Sequence, residues 1–119
     1  MTFSGFSGCD FHLEGYSLGG IETAIMVPQW KLALDLGRGR RPFIRCDHIA
    51  LTHTHMDHAG GLAYVLSLRQ LFRMKPPRVY VPARAADSLR AMLDAWGPLQ
   101  RHELVCDLVP VEPGERYEL

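Results

Sequence analysis

Three histidines and an aspartate crowd into one short stretch of this chain. The segment Leu51-Thr-His-Thr-His-Met-Asp-His-Ala-Gly-Gly-Leu62 places His53, His55, Asp57 and His58 within six residues. In an extended segment alternate side chains share a face, so His53 and His55 can hold one ion together. Asp57 and His58 fall where the chain turns into the next helix and can point at a second ion beside the first. Imidazole nitrogens suit zinc and a carboxylate is an acceptable oxygen donor; manganese or iron fits the same set. Two metals a few ångströms apart can share one hydroxide whose pKa is lowered from ~15.7 toward neutrality, which makes it a nucleophile at cell pH. Scattered surface histidines, or histidines bonding within a loop, would not arrive between an apolar strand and an amphipathic helix.

The elements around this cluster must position it. Residues 48–52 form a short apolar strand that runs directly into the histidines. Before it, residues 11–17 are a weak strand candidate. Residues 21–27 and 31–36, separated by Pro28-Gln29, read as a hairpin. Gly37, Gly39 and Pro42 mark a loop. After the cluster the period changes to helical. Leu62, Val65, Leu66 and Phe72 predict a helix over 59–74, with Arg69, Gln70 and Arg73 on its polar side and Lys75-Pro76-Pro77 as its stop. A strand follows at 78–81. A second helix over 83–95 presents Ala85, Leu89, Met92, Leu93 and Trp96 as its apolar face and ends at Gly97-Pro98. On that face Trp96 reads as a core residue. Strands at 104–111 and 116–119, joined by a Pro113-Gly114 turn, complete the order.

With 119 residues the chain can bury a modest core as one domain. Thirteen basic and thirteen acidic side chains cancel, so net charge points to no nucleic acid, membrane surface or acidic partner. No apolar run approaches the ~20 residues that span a bilayer, and residues 1–9 lack the basic start and apolar stretch of a signal peptide. Cys9, Cys46 and Cys106 are odd in number and widely spaced, which reads as three reduced, partly buried thiols in a cytoplasmic protein.

His-Thr-His-Met-Asp-His resembles the His-x-His-x-Asp-His signature of the metallo-β-lactamase superfamily, and Gly60-Gly61-Leu62 resembles the small residues that open its next helix. The chain is most similar to the RNase Z-like branch. Gly-Tyr-Ser-Leu-Gly-Gly, ending at Gly20, resembles that branch's first glycine loop. Lys-Leu-Ala-Leu-Asp-Leu-Gly, ending at Gly37, resembles its strand closing in Asp and Gly. Gly61 to Arg69 and Val79-Tyr80-Val81-Pro82 follow its helix and next strand. The resemblance implies an α/β fold: the N-terminal half of an αβ/βα sandwich, a mixed β-sheet with helices on one face, a partial domain over residues 1–119. It implies two Zn2+ per complete site, His53 and His55 on the first metal and Asp57 and His58 on the second. Asp57 would also hold or deprotonate the attacking water, and Asp35 would brace the ligand loop without touching metal. His55 stands where the diiron oxidoreductase branch has glutamate, which favours hydrolysis over redox chemistry.

Two features depart from the family pattern. Met56 occupies a position often held by glycine and is expected to narrow the loop. The later His, bridging Asp and final His have no counterpart, so each metal would have two ligands where a catalytic zinc takes three. With a final strand at 116–119 and no polar tail, the chain reads as cut short, and an uncovered apolar sheet face would drive homo-oligomer formation. The expected activity is phosphodiester hydrolysis, RNA included. Hydrolysis of a lactone, thioester or other carboxylic ester is the alternative, as is an inactive or partner-dependent module. Arg38, Arg40, Arg41 and Arg45 are candidate phosphate contacts, or else a solvated loop. His12, His48 and His102 read as ordinary histidines.

Overall fold

The computed structural model describes residues 4–8 and 11–119, with side chains described from residue 11 onward. Cys9 lies outside the described residues. Seven strands form one sheet in chain order: β1 Ser4–Gly8, β2 Phe11–Leu18, β3 Glu22–Val27, β4 Leu32–Leu36, β5 His48–Ala50, β6 Arg78–Pro82 and β7 Asp107–Val111. β1 to β4 run antiparallel to their neighbours, and β4 to β7 are parallel. The sheet is therefore mixed, as expected. The helices are α1 Met56–Ala59, α2 Leu62–Leu71 and α3 Ala83–Gln100.

Register explains where the core lies. Met26, Ala33, Ile49, Val79 and Leu108 stand in one row across β3 to β7. All but Leu108 are fully buried, and they join Leu62, Val65, Leu66, Leu89 and Leu93 of the helices in one cluster. Side chains alternate along a strand, so the neighbouring row, Ile25, Leu34, Ala50, Tyr80 and Val109, faces the opposite way.

Several expected elements are corrected. The helix expected over 59–74 is shorter, Leu62–Leu71, and a separate single turn, α1, precedes it at Met56–Ala59, the two parted at Gly60-Gly61. α3 does not end at Gly97-Pro98. Pro98 lies in its last turn, where the one hydrogen bond it forfeits matters least, and Arg101 in the left-handed region closes it. Its buried face is Ala86, Leu89, Leu93 and Gly97, so Trp96, one residue out of phase, is 47% exposed and is not a core residue. Arg69 is not on a polar face. It is 1% exposed, and its guanidinium donates to the carbonyls of Ile44, Cys46 and Lys75 and to Asp47. Residues 116–119 form no strand; Tyr117 instead packs edge-on against Tyr80 at 5.9 Å. Strand β1 lacks the alternation that would have marked it in the sequence.

Candidate metal centre

Strand β5 ends at Ala50, and the chain runs out of the sheet's C-terminal edge through Thr52 and His53 into α1. This is where ligands gather in open α/β sheets. The ring centroids of His53 and His58 are 4.1 Å apart, and those of His53 and His55 are 4.8 Å apart. His58 Nε2 lies 3.4 Å from Asp57 Oδ2. The four expected ligands are thus brought to one edge. His55 is exposed, while His53, Asp57 and His58 are half-buried.

Asp35 organises the edge from below. In the β3–β4 ladder Ala24 faces Leu36 and Ile25 faces Leu34, so Asp35 is the extra residue of a β-bulge, with φ at 63°. A left-handed backbone is costly for a residue with a Cβ, and a bulge re-aims a side chain. Here the carboxylate is turned into the ligand loop and is 3% exposed. Its Oδ1 accepts from the Thr52 N–H at 2.8 Å. Its Oδ2 accepts from the Thr52 hydroxyl and from His58 Nδ1, each at 2.8 Å. In the neutral ring, the bond to Nδ1 leaves His58 Nε2 as the lone-pair nitrogen. Thr52 Oγ1 also lies 2.9 Å from His53 Nδ1.

Glycines dock the ligand segment onto the rest of the fold. The Gly20 N–H reaches Asp57 Oδ2 at 3.2 Å, the Gly37 N–H reaches the His58 carbonyl, and the Gly61 N–H reaches the Gly37 carbonyl. A Cβ on Gly61 would sit 2.1 Å from the Gly39 nitrogen, so only glycine permits this approach. Thr52 and Gly20 were missed as site residues. The only signal for Thr52 is its place beside His53, and Gly20 reaches Asp57 across 37 positions of sequence.

Met56 opens α1 with its side chain outward, 79% exposed, and lines an apolar hollow with Tyr64, Met92 and Trp96. It does not narrow the ligand loop. The four arginines divide. Arg38 and Arg40 both bond the fully buried Glu22, and Arg40 also lies over the Tyr16 ring at 4.6 Å. Arg40 first, then Arg38, hold the Glu22 carboxyl down at about 2 against the opposing effect of burial. Burial, with Glu22 beside it, pushes the Tyr16 phenol up to about 12. Arg41 stacks over Phe72 at 5.5 Å, and Arg45 is exposed at the end of a short 3₁₀ turn.

Outside the cluster, His12 pairs with Glu14 at 3.2 Å, His102 caps α3 through its backbone, and burial lowers the pKa of His48. The Cys46 thiol is pushed up to about 12 by burial, and burial also raises that of Cys106. Both are free and buried.

Among the described residues, no three His, Cys, Asp or Glu side chains converge to hold one ion. Imidazole and carboxylate are nonetheless the donor types zinc takes. The profile of the metallo-beta-lactamase superfamily matches residues 20–95, from the glycine turn beside Asp57 through the ligand segment and most of α3. This chain belongs to the metallo-beta-lactamase superfamily.

Within the superfamily the ribonuclease Z branch is the one it resembles. It is 36% identical over 109 residues to a nuclear ribonuclease Z of Triticum aestivum, covering 92% of this chain and 62% of that protein. It is 35% identical over 109 residues to the chloroplastic tRNase Z TRZ2 of Arabidopsis thaliana, covering 92% of this chain and 31% of the relative. It is 36% identical over 107 residues to tRNase Z TRZ1 of the same plant, covering 90% and 38%. The chain thus spans between about a third and three-fifths of the relatives it matches. Among the described residues no helix is long and apolar enough to cross a membrane.

Proposed function

We propose that this chain supplies half of a dinuclear zinc centre that hydrolyses phosphodiesters, with RNA as the substrate class. The observation that carries this is the set His53, His55, Asp57 and His58 at one sheet edge, braced by Asp35, in a chain 35–36% identical to three ribonuclease Z proteins. Bound zinc lowers the pKa of water and neutralises charge that develops on phosphorus. His53 and His55 would hold one ion, and Asp57 and His58 the other. Asp57, fixed by the Gly20 N–H, is also placed to accept a proton at Oδ2. Asp35 keeps the Nε2 atom of His58 available and touches no metal.

Two donors per ion fall short of the three protein ligands of a catalytic zinc. Each ion would therefore need at least one further ligand. None of the four arginines is carried into this proposal as a phosphate contact: Arg38 and Arg40 are engaged by Glu22, Arg41 lies over Phe72 just past the C-terminal end of α2, and Arg45 precedes β5, whose other end leads into the histidines. Lactone or thioester hydrolysis uses the same ligand motif. The ribonuclease Z relatives support the phosphodiester reading over it.

Zinc content by mass spectrometry, set beside hydrolysis of bis(p-nitrophenyl) phosphate and of a simple lactone, tests the proposal. We expect zinc binding that falls in His53→Ala, and a preference for the phosphodiester. Zinc binding unchanged in His53→Ala, or lactone hydrolysis alone, overturns it.

A further inference from the structure

We propose that Thr52 is a positioning residue: its hydroxyl relays the Asp35 carboxylate to His53 and fixes the tautomer of that ring. The argument is one of donors and acceptors. Thr52 Oγ1 lies 2.8 Å from Asp35 Oδ2 and 2.9 Å from His53 Nδ1. A carboxylate has no proton to give, whereas a hydroxyl has one proton and two lone pairs. The Thr52 proton therefore goes to Asp35, since otherwise two oxygen lone pairs would face each other at 2.8 Å. With its proton committed, Oγ1 can only accept from His53. His53 Nδ1 must then carry the hydrogen, and Nε2 is left with the lone pair.

His58 reaches the same state directly, through its own Nδ1 bond to Asp35 Oδ2. The neutral histidine side chain in water prefers the opposite tautomer, with hydrogen on Nε2, so each ring is held against its own preference by a partner. One carboxylate thereby sets two rings, one directly and one through Thr52. In the reading above, which this inference deepens, those rings belong to different ions. The left-handed bulge at Asp35 and the backbone bond from Thr52 N–H to Oδ1 hold both ends of the relay in place. Partners of this kind, one bond behind a metal ligand, commonly change metal affinity by ~10–100-fold when removed.

The test compares Thr52→Val, which keeps the branched shape and loses the hydroxyl, with Thr52→Ser, which keeps the hydroxyl. Long-range proton–nitrogen correlation spectra of the 15N-labelled, metal-free chain at pH 8 report the tautomer of each ring. A backbone amide spectrum of each variant confirms that it is folded. We expect His53 with its hydrogen on Nδ1 in the parent chain and in Thr52→Ser, and a shift toward the Nε2–H pattern in Thr52→Val. His58 should not change in any of them. Zinc affinity, measured by competition with a chromophoric chelator, should fall ~10–100-fold in Thr52→Val and stay within about threefold in Thr52→Ser. A folded Thr52→Val that keeps the Nδ1–H pattern overturns the relay, as does a Thr52→Ser that loses it. Because the tautomer is read without metal, a switch seen in a chain that binds no zinc supports the relay while refuting the metal centre.

Discussion

Asp35 occupies a backbone conformation that an L-residue enters at a cost of about 1–2 kcal/mol, and its carboxylate gathers three donors from the ligand segment. Asparagine tolerates the same conformation but offers one acceptor oxygen where aspartate offers two. Asp35→Asn should therefore melt within a few degrees of the parent while zinc affinity falls ~10–100-fold, as for other residues that orient a metal ligand. Circular-dichroism melts paired with zinc titration check it, and equal losses in both would mean that Asp35 is simply structural. Glu22 is the other buried carboxylate, and Arg40 and Arg38 hold it at about 2. Its folded pKa lies below its unfolded value, so its contribution to stability is present above about pH 4.5 and is lost as pH falls toward 2. Glu22→Gln should be less stable than the parent at pH 7, and the gap should close progressively below pH 4.5. A gap that stays constant in urea denaturation at pH 7, 5 and 3 would refute the pairing as the cause.

Glycine placement matters most where elements meet. A Cβ on Gly61 would collide with backbone on the Gly37–Gly39 turn, whereas one on Gly19 meets nothing within 4 Å. Gly61→Ala should cost about 1–3 kcal/mol, the usual range for overpacking, and Gly19→Ala almost nothing; thermal melts separate them. α3 offers a second contrast. Leu93→Ala should cost about 2–5 kcal/mol, while Trp96→Ala, whose ring is half-exposed, should cost far less. These contrasts mark how far the sequence could be read. The β3–β4 hairpin, the parallel strands β5 and β6 and the ligand segment were legible because each is a local pattern: alternation, turn residues, or ligand spacing. What failed depends on contacts distant in sequence. Trp96 and Gly97 compete for one helix face, and apolarity alone favoured the tryptophan, although Gly97 lies against Glu103. Arg69 is polar by composition, yet carbonyls of Ile44, Cys46 and Lys75 surround it. The bulge that aims Asp35 is a mismatch between two strands and leaves no mark in either alone.

Across the whole molecule the sheet divides its two faces unequally. One carries the row Met26, Ala33, Ile49, Val79 and Leu108 under the helices. The other carries Ile25, Leu34, Ala50, Tyr80 and Val109, with no helix among those described packed on it in the core cluster. On this second face Trp30, 46% exposed, shares a hollow of about 410 Å³ with Leu32, Tyr80, Tyr117 and Leu119. Apolar surface gathered in one patch promotes association. We therefore expect concentration-dependent self-association in sedimentation velocity. Trp30→Lys should shift the population toward monomer without lowering the melting temperature appreciably, because the ring packs at the surface against Phe11. Replacing Trp96, which lies on the helical side in the hollow with Tyr64 and Met92, should leave association unchanged. A parent chain that sediments as a single monomer at every concentration would refute the idea. Loss of association in Trp96→Ala but not in Trp30→Lys would move the interface to the helical face, beside the histidine segment.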